Sequence, residues 1–358
     1  VSGSPAMTDV TFSGNSANTC GGGMYNEICS SPVLTNVNFV NNSATDGAGM
    51  MNLGSNPTLT GVTFSSNKAS FYGGGIYNYI NSNPTLTDVT FNGNSALRVG
   101  GAMYNDNHCS PTLTEVAFSG NTSFSGGGIY NFDNSNPMLM NVTFNGNSAS
   151  DSGGGMFNAS SSPKLTNVTF SGNWSVLGGG MDNYSSNPVL TNVTFSGNSA
   201  SIGGGMYNYA SSSPDVRNSI LWNNQDSNGT GTITATVALV DGSWITLTHS
   251  LAQGSGGSDS WVGGSYLDGG NNLDSDPLFV QAVDPAEAPT QSGDLRLWTG
   301  SPAIDAGDNQ YVTGIATDLD GLPRIIDGDG DGDATVDMGA YEYEDKWIVL
   351  YFPLIPHQ

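Results

Sequence analysis

A fixed spacing between three residues constrains the fold of this chain most strongly. This spacing repeats through the first 224 positions. A proline recurs at intervals of 25–27 residues, a Phe follows it by seven positions, and an Asn follows it by ten. The three series are Pro5, Pro32, Pro57, Pro84, Pro111, Pro137, Pro163, Pro188 and Pro214; Phe12, Phe39, Phe64, Phe91, Phe118, Phe144, Phe170, Phe195 and finally Leu221; and Asn15, Asn42, Asn67, Asn94, Asn121, Asn147, Asn173, Asn198 and Asn224. Each repeat is therefore one structural unit that stacks on the next.

A second rigid block follows each proline block and reads GGGMYN or a close variant. Its apolar residue is Met24, Met50, Ile76, Met103, Ile129, Met156, Met181 or Met206, and its last residue is Asn26, Asn52, Asn78, Asn105, Asn131, Asn158, Asn183 or Asn208. All variation in length lies in the segments that join the two blocks. Fixed blocks with variable joints are typical of strands and loops.

The alternation inside the blocks has a period of two residues, which indicates β-strands. A unit of about 26 residues is too short for a propeller blade and lacks helical spacing, so it suits one coil of a parallel β-helix. Coils stack about 4.8 Å apart. Like side chains then form columns.

An Asn that faces the interior is costly unless its amide is bonded. In a stack of coils, each Asn can donate to the Asn above and accept from the one below, as in cross-β amide ladders. We therefore expect Asn147 to be buried and bonded to Asn121 and Asn173. The triple Gly predicts a corner or a close backbone approach that a Cβ would block, and this is favoured over a phosphate-binding loop because no GK[ST] follows it.

The net charge of −24 excludes whole classes of partner. A chain this acidic repels phosphate backbones and anionic lipid. We therefore expect no binding to nucleic acid. The acid is unevenly placed: residues 1–224 hold 10 acidic and 4 basic residues (net −6), and residues 225–358 hold 21 and 3 (net −18). We therefore expect regular coils over 1–224, an irregular continuation over 225–300, and an acidic C-terminal cap with an apolar tail over 301–358.

The repeats resemble the FxxN and GGA[ILV] repeats of polymorphic outer-membrane proteins; here they read FSGN, FVNN, FSSN and FNGN. The resemblance implies an all-β fold, a right-handed parallel β-helix of the pectin-lyase type. The segments SPAIDAGD (301–308) and VDMGAYE (336–342) resemble the C-terminal region of secreted bacterial choice-of-anchor Q proteins. That resemblance implies an exported or surface-attached protein and brings no defined enzymatic activity.

Two further features bear on the location of the protein. The chain opens at Val1 without an initiator Met, so we expect that a leader was removed or the chain was trimmed, and that the protein is secreted or lies at the cell surface. The longest apolar run, from Trp347 to Ile355, is too short to span a bilayer.

Cys20, Cys29 and Cys109 are an odd count, so either Cys20 pairs with Cys29 or all three are free.

The acidic region contains a candidate calcium site. DGDGDGD places Asp at every second position of a Gly-rich loop, and calcium takes six to eight oxygen ligands. The predicted ligands are Asp327, Asp329, Asp331, Asp333 and Asp337, with Asp305, Asp318 and Asp320 as further candidates. The alternative is a solvated acidic loop.

One column of aromatic side chains should point outward, because its members lie between the inward apolar residue and the inward Asn. The column comprises Tyr25, Tyr77, Tyr104, Tyr130, Phe157 and Tyr207, and Met51 and Asp182 interrupt it. Stacked outward aromatics can hold sugar rings or another protein. Alternatively, they only reinforce neighbouring strands.

Three functions remain open, and a structural role is favoured. Asp9, Asp88 and Glu115 share one position of the repeat, but Asn or Gly stands there in the other coils, which indicates a turn and not the carboxylate cluster of a polysaccharide lyase or hydrolase. A stiff stack suits a surface scaffold, an adhesin or a filament subunit, and polysaccharide binding is the alternative. For a filament, we expect head-to-tail contact between the first coil and the apolar tail through Met7, Val10, Phe12, Trp347, Ile348, Val349, Leu350, Tyr351, Phe352, Leu354 and Ile355.

Overall fold

The computed structural model describes residues 3–344 and confirms a right-handed parallel β-helix with coils of about 26 residues. Each regular coil passes through three parallel sheets, which we call sheets 1, 2 and 3. Sheet 1 comprises Ala6–Thr8, Thr11–Ser13, Val33–Thr35, Asn38–Val40, Thr58–Thr60, Thr63–Ser65, Thr85–Asn92, Thr112–Ser119, Met138–Asn145, Lys164–Ser171, Val189–Ser196, Asp215–Arg217, Ile220–Trp222, Ile245–Thr248, Leu251–Ala252 and Tyr266–Asp268. The repeated proline directly precedes the strand that opens each coil.

Sheets 2 and 3 complete each coil. Sheet 2 is Ser43–Asp46, Lys68–Tyr72, Ser95–Ala96, Thr122–Ser125 and Ser148–Ser152; sheet 3 is Met24–Glu27, Met50–Leu53, Ile76–Tyr79, Met103–Asp106, Ile129–Phe132, Met156–Ala159, Met181–Tyr184, Met206–Tyr209 and Val237–Leu239. Outside these sheets lie an antiparallel pair, Phe279–Gln281 with Asp294–Leu297, a one-turn helix, Ile233–Thr236, and 3-10 turns at Ser258–Ser260, Pro285–Glu287 and Asn309–Val312.

The interior consists of columns of like side chains, as the repeat register predicts. Strand pairing aligns equivalent positions, so that Phe118 stands between Phe91 and Phe144. Along the Phe column from Phe12 to Phe195, successive ring centroids are 4.5–4.9 Å apart and their planes differ by 2–6°. These stacked rings add to the stability that their burial supplies.

The asparagine ladder is confirmed. The Asn147 side-chain amide donates to Asn173 Oδ1 at 3.0 Å and to the Phe118 carbonyl at 2.9 Å. Asn147 Oδ1 in turn accepts from the side-chain amide of Asn121 at 2.9 Å and from its backbone N–H at 3.0 Å. A second ladder runs through sheet 3, where Asn131 donates to Asn158 Oδ1 at 2.8 Å. Repetition of Asn is thus what satisfies these buried amides.

The triple Gly makes both of the features that the sequence predicts. Gly126 adopts a left-handed conformation with a φ of 65°, which forms the corner. A Cβ on Gly127 would lie 2.4 Å from the Gly154 carbonyl oxygen of the next coil, and one on Gly128 would lie 2.9 Å from a Phe144 ring carbon. Side chains are therefore excluded at the second and third glycines.

The three cysteines are free thiols. Cys109 is buried in a column of serines, where its Sγ accepts from the Ser82 N–H at 3.1 Å and its own N–H donates to Ser135 Oγ at 3.0 Å. Burial raises the pKa of the Cys109 thiol to about 12, so this thiol is unreactive at neutral pH.

The described part of the acidic region, residues 301–344, packs against the side of the stack, whereas the sequence predicted an end cap. The parallel strands continue to Tyr266–Asp268, and the following chain then folds back along the outer face of sheet 1. The burial of that face shows the contact. In the strand Thr85–Asn92, which the cover does not reach, outward residues are exposed or half-buried. In the covered strand Val189–Ser196, every residue after the first is buried. We call residues 276–344 the lateral cover.

The cover is held by apolar contacts and by hydrogen bonds to turns of sheet 1. Ile220 and Leu251 pack in one cluster with Leu297, Ala303 and Met338 of the cover. The Asn218 amide donates to the Asp308 carbonyl at 3.0 Å, and the Asp308 N–H donates back to Asn218 Oδ1 at 2.9 Å. A flank of the stack offers this segment both apolar surface and polar partners, which is why it lies there.

Candidate functional site

An open groove lies where the short strands of sheet 2 turn toward sheet 3, on the part of the surface that the cover leaves free. It has a volume of about 730 Å³. We call it the aromatic groove and define it by its lining residues: Ser70, Phe71, Tyr72, Leu97, Arg98, Val99, Tyr104, Phe124, Ser125, Tyr130 and Phe132. Its size lies within the range of small-ligand sites in proteins.

One wall of the groove comes from irregular segments of three consecutive coils. Lys68–Tyr72 is one residue longer than Ser43–Asp46, with which it pairs, and the register shifts between Ala69 and Tyr72. A bulge of this kind re-aims a side chain. Phe71 is exposed as a result, and Leu97 and Phe124 in the equivalent segments of the next two coils are exposed as well.

Large apolar side chains at this wall and at the opposite rim are open to solvent. Leu97 is 68% exposed, Phe124 51% and Phe132 42%. The Arg98 guanidinium lies over the Phe71 ring, with Cζ 5.1 Å from the centroid. That stacking leaves the edge of the guanidinium free to donate hydrogen bonds.

The floor of the groove is formed by Tyr104 and Tyr130, two members of the aromatic column that the sequence singled out. Although this column points outward, it is not accessible throughout, because Tyr77, Tyr104 and Phe157 are each only 7% exposed. These side chains do lie outside the coil interior, but residues of the neighbouring column such as Tyr72 pack over them, with ring centroids 5.4–5.8 Å apart.

The column is held by stacking between coils. Tyr77 and Tyr104 are stacked at 4.9 Å and Tyr130 and Phe157 at 4.7 Å. The Tyr77 hydroxyl donates to Asp106 Oδ2 at 3.2 Å. Of the remaining members, Tyr25 is exposed and Tyr207 is half-buried. The column therefore mainly reinforces neighbouring strands, and it contributes to the groove only at its floor.

Asp182 interrupts this column in an unusual way. It lies between Phe157 and Tyr207, is fully buried, and neither carboxylate oxygen makes a hydrogen bond of standard geometry. Burial raises the pKa of Asp182 well above its usual range; the Ser152 hydroxyl opposes the rise, and the Asp151 carboxylate adds to it. The side chain therefore costs stability wherever it must carry its charge.

We expect Asp182→Leu to stabilise the protein at neutral pH by about 1–3 kcal/mol, the cost of a buried polar group without partners. Because the folded-state pKa is raised, the wild type loses stability as the pH rises above the unfolded-state value of about 3.9 toward the folded-state value. The gain should therefore be smallest near pH 4, where only the cost of the uncharged polar group remains, and grow with pH. Melting temperatures from pH 4 to pH 8 measure it, with Asp182→Asn as the control that removes the charge and keeps the shape. A gain of equal size at every pH would contradict this origin.

The predicted calcium ligands are only partly brought together. The carboxylate oxygens of Asp305, Asp327 and Asp329 lie within 4.8 Å of one another. Asp331 and Asp333 lie outside this group on an exposed loop, and Asp337 is buried, where it accepts from the Asp305 N–H at 2.8 Å.

The oxygens of this group also accept backbone hydrogen bonds, which shape the loop. Asp305 accepts from the N–H groups of Gly328 and Asp329 at 3.0 and 2.8 Å, and Asp327 accepts from those of Gly330 and Gly332 at 2.7 and 3.0 Å. Calcium needs six to eight oxygens, so three carboxylates would have to be joined by carbonyl groups or water.

Calcium binding stays a prediction, with Asp305 joining Asp327 and Asp329 as the ligands best placed. As EGTA is added, the melting temperature of the cover should fall first and that of the coils later. Added calcium should restore the melting temperature of the cover. Calorimetry on the full chain and on an Asp327→Asn/Asp329→Asn variant measures this. A melting curve that EGTA leaves unchanged would count against the ion.

The carboxylates considered for catalysis occupy turns. Asp9, Asp88 and Glu115 have φ values of 55°, 53° and 57°, and Asn141 and Asn167 have 55° and 52° at the same repeat position. This left-handed conformation favours Asn, Asp and Gly, which confirms the interpretation as a turn preference.

Sequence reasoning missed the groove wall because Phe71, Leu97 and Phe124 belong to the variable segments between the two blocks. Two signals could have found it. Lys68–Tyr72 carries an extra residue, and it places a large apolar side chain where Ser43–Asp46 has only small or polar ones.

Comparison with known families supports this architecture. A right-handed β-helix region matches residues 100–274, and the Chlamydia polymorphic membrane protein repeat matches residues 9–27 and 61–79. No curated protein and no solved structure matches the chain. Nor does the described part of the chain contain a helix long and apolar enough to cross a membrane. The protein is thus a right-handed parallel β-helix whose repeats are similar to those of chlamydial polymorphic membrane proteins.

Proposed function

We propose that this protein is a surface-exposed scaffold of the adhesin type that binds its target at the aromatic groove. The observation that carries the proposal is the cluster of exposed Phe71, Leu97, Phe124 and Phe132 side chains on an otherwise regular solenoid. Exposed apolar clusters of this kind mark binding surfaces. The similarity to polymorphic membrane protein repeats and the resemblance of SPAIDAGD and VDMGAYE to choice-of-anchor Q proteins support an exported, surface-attached location.

Binding of the labelled full chain to an array of glycans and extracellular-matrix proteins tests the proposal. We expect binding that Phe71→Ser/Phe124→Ser abolishes. Ile202→Ser is the matched control, because Ile202 is an exposed apolar residue in the corresponding segment of a later coil, outside the groove. Binding that both variants retain would refute the groove as the target site. Antibody labelling of intact producing cells tests the surface location independently.

Head-to-tail association also stays a prediction. Met7, Val10 and Phe12 are only partly buried at the edge of the first coil. Asn15 donates to Asn42 Oδ1 at 3.0 Å, and within residues 3–344 no group donates to its own side-chain oxygen. This edge can accept a further coil, either from a preceding segment or from a second copy. The tail residues Trp347–Ile355 lie outside the described residues.

Sedimentation equilibrium checks the association. The apparent mass should rise with concentration, and deletion of residues 346–358 should abolish the rise. A full-length chain that stays monomeric at high concentration would contradict assembly.

A further inference from the structure

We propose that the aromatic groove binds an acidic oligosaccharide, with Arg98 pairing with its carboxylate while the aromatic side chains stack on its sugar rings. This inference rests on the proposed function, because it names the class of ligand that the groove would take.

The charge of the groove favours an anionic ligand. Arg217, Arg296 and Arg324 each form an ion pair with a carboxylate, but Arg98 forms none with any residue between 3 and 344. Arg98 is exposed, and among the described lining residues it is the only charged side chain. The groove is therefore locally cationic, although the protein as a whole carries a net charge of −24, and this local charge favours an anionic group at this place.

The Arg98 cation is held in place by its neighbours. Its guanidinium lies over the Phe71 ring, with Cζ 5.1 Å from the centroid, and the backbone holds the segment in place, because the Arg98 N–H donates to the Phe71 carbonyl at 3.1 Å and the Arg98 carbonyl accepts from the Ser125 N–H at 3.0 Å. A planar guanidinium matches a carboxylate with two parallel hydrogen bonds. Preorganisation of this kind lowers the entropic cost of binding.

The spacing of the aromatic side chains and the extent of the groove fit an oligosaccharide better than a protein. Phe71 and Phe124 lie two coils apart, about 10 Å at the usual strand spacing. The groove spans only three coils, too little for the roughly 800 Å² that each partner buries in a stable protein complex. A chain of sugar rings fits a short groove with aromatic side chains along it.

Asp106 is a carboxylate beside the Tyr104 floor, but it does not line the groove. It accepts from the Tyr77 hydroxyl at 3.2 Å. The strongly acidic cover lies on the outer face of sheet 1, away from the groove-lining residues.

Titration calorimetry of the full chain with tetragalacturonate and with its methyl ester tests the inference, because esterification removes the charge of the carboxylates and leaves the sugar rings unchanged. We expect the acid to bind and the ester to bind at least about tenfold more weakly, because the ester lacks the charge-assisted bidentate contact. Arg98→Gln should remove this difference and weaken the acid by the same factor. Arg98→Lys should retain only part of the difference between acid and ester, because lysine cannot bind a carboxylate bidentately.

Two controls separate the possible failures. Lys164→Gln removes an exposed cation outside the groove and should change nothing. Equal binding of acid and ester, unaffected by Arg98→Gln, would overturn the acidic class of ligand and leave the groove as a binding site. Failure to bind either sugar would overturn the saccharide inference. In that case a protein on the array whose binding depends on Phe124 would still support the proposed function, and the absence of any groove-dependent target would refute both.

Discussion

Replacing Arg324 with alanine is expected to release the lateral cover from the coils and to cost about 3–5 kcal/mol, the range for removing one partner of a buried ion pair. The Arg324 side chain is fully buried, and its Nε lies 3.2 Å from Glu342 Oε1. It also donates to the carbonyl oxygens of Asp337 and Gly339. Burial raises the pKa of Glu342 and of Asp337, and the Arg324 guanidinium opposes that rise. Without it, these carboxyl groups remain buried with no compensating charge.

The same arginine joins the cover to sheet 1. In the orientation that satisfies both ends of its amide, Asn192 accepts a hydrogen bond from Arg324 Nε at 2.8 Å. Ala340 of the cover also donates its N–H to Thr194 Oγ1 at 3.0 Å. Loss of Arg324 should therefore act locally: hydrogen exchange should accelerate in residues 276–344 while the coils stay protected.

A matched control separates this effect from the loss of any surface charge. Arg296→Ala removes an arginine of the same cover that is more than half exposed and paired with Asp294, and its effect should stay below about 1 kcal/mol. Similar losses from Arg324→Ala and Arg296→Ala in urea unfolding would show that the buried pair does not hold the cover.

Replacing Asn147 with leucine is the second change with a large expected effect. It removes the acceptor of both Asn121 hydrogen bonds and the donor to the Phe118 carbonyl and to Asn173. Each buried group left unpaired costs about 1–3 kcal/mol, so we expect a total loss of several kcal/mol. The loss should spread to the neighbouring coils, because stacked repeats unfold with their neighbours.

The free energies of unfolding of Asn147→Leu and Asn92→Leu in urea, compared with each other, measure the contribution of the ladder to stability. Asn92 is an exposed residue at the end of the strand Thr85–Asn92, so the same substitution there leaves no buried group unpaired. Asn92→Leu should change the free energy of unfolding by less than about 0.5 kcal/mol. Equal losses at the two positions would contradict the ladder as the source of stability.

The sequence predicted the parts of this structure that repeat. A column requires the same residue in every coil, so the series from Phe12 to Phe195 and the Asn ladder are visible as a fixed spacing along the chain. The second and third glycines follow from the same logic, because a contact such as that between Gly127 and Gly154 recurs in each pair of neighbouring coils.

The parts that do not repeat could not be predicted in this way. The cover binds sheet 1 through single contacts such as Asn218 with Asp308, which are 90 residues apart and leave no periodic signal. The burial of Tyr77 and Tyr104 depends on Tyr72 and Val99 of a variable segment, so their outward direction was predicted and their lack of exposure was not. The groove wall arises from a shift of register at Ala69, which depends on the pairing partner as much as on the local sequence.

The central claim is that these irregular segments form a binding site on a regular scaffold, and a crystal structure of the full chain with tetragalacturonate tests it most directly. We predict a sugar ring stacked on Phe124, with a carboxylate within hydrogen-bond distance of the Arg98 guanidinium that lies over Phe71. Sugar bound elsewhere on the protein, with the aromatic groove empty, would contradict it.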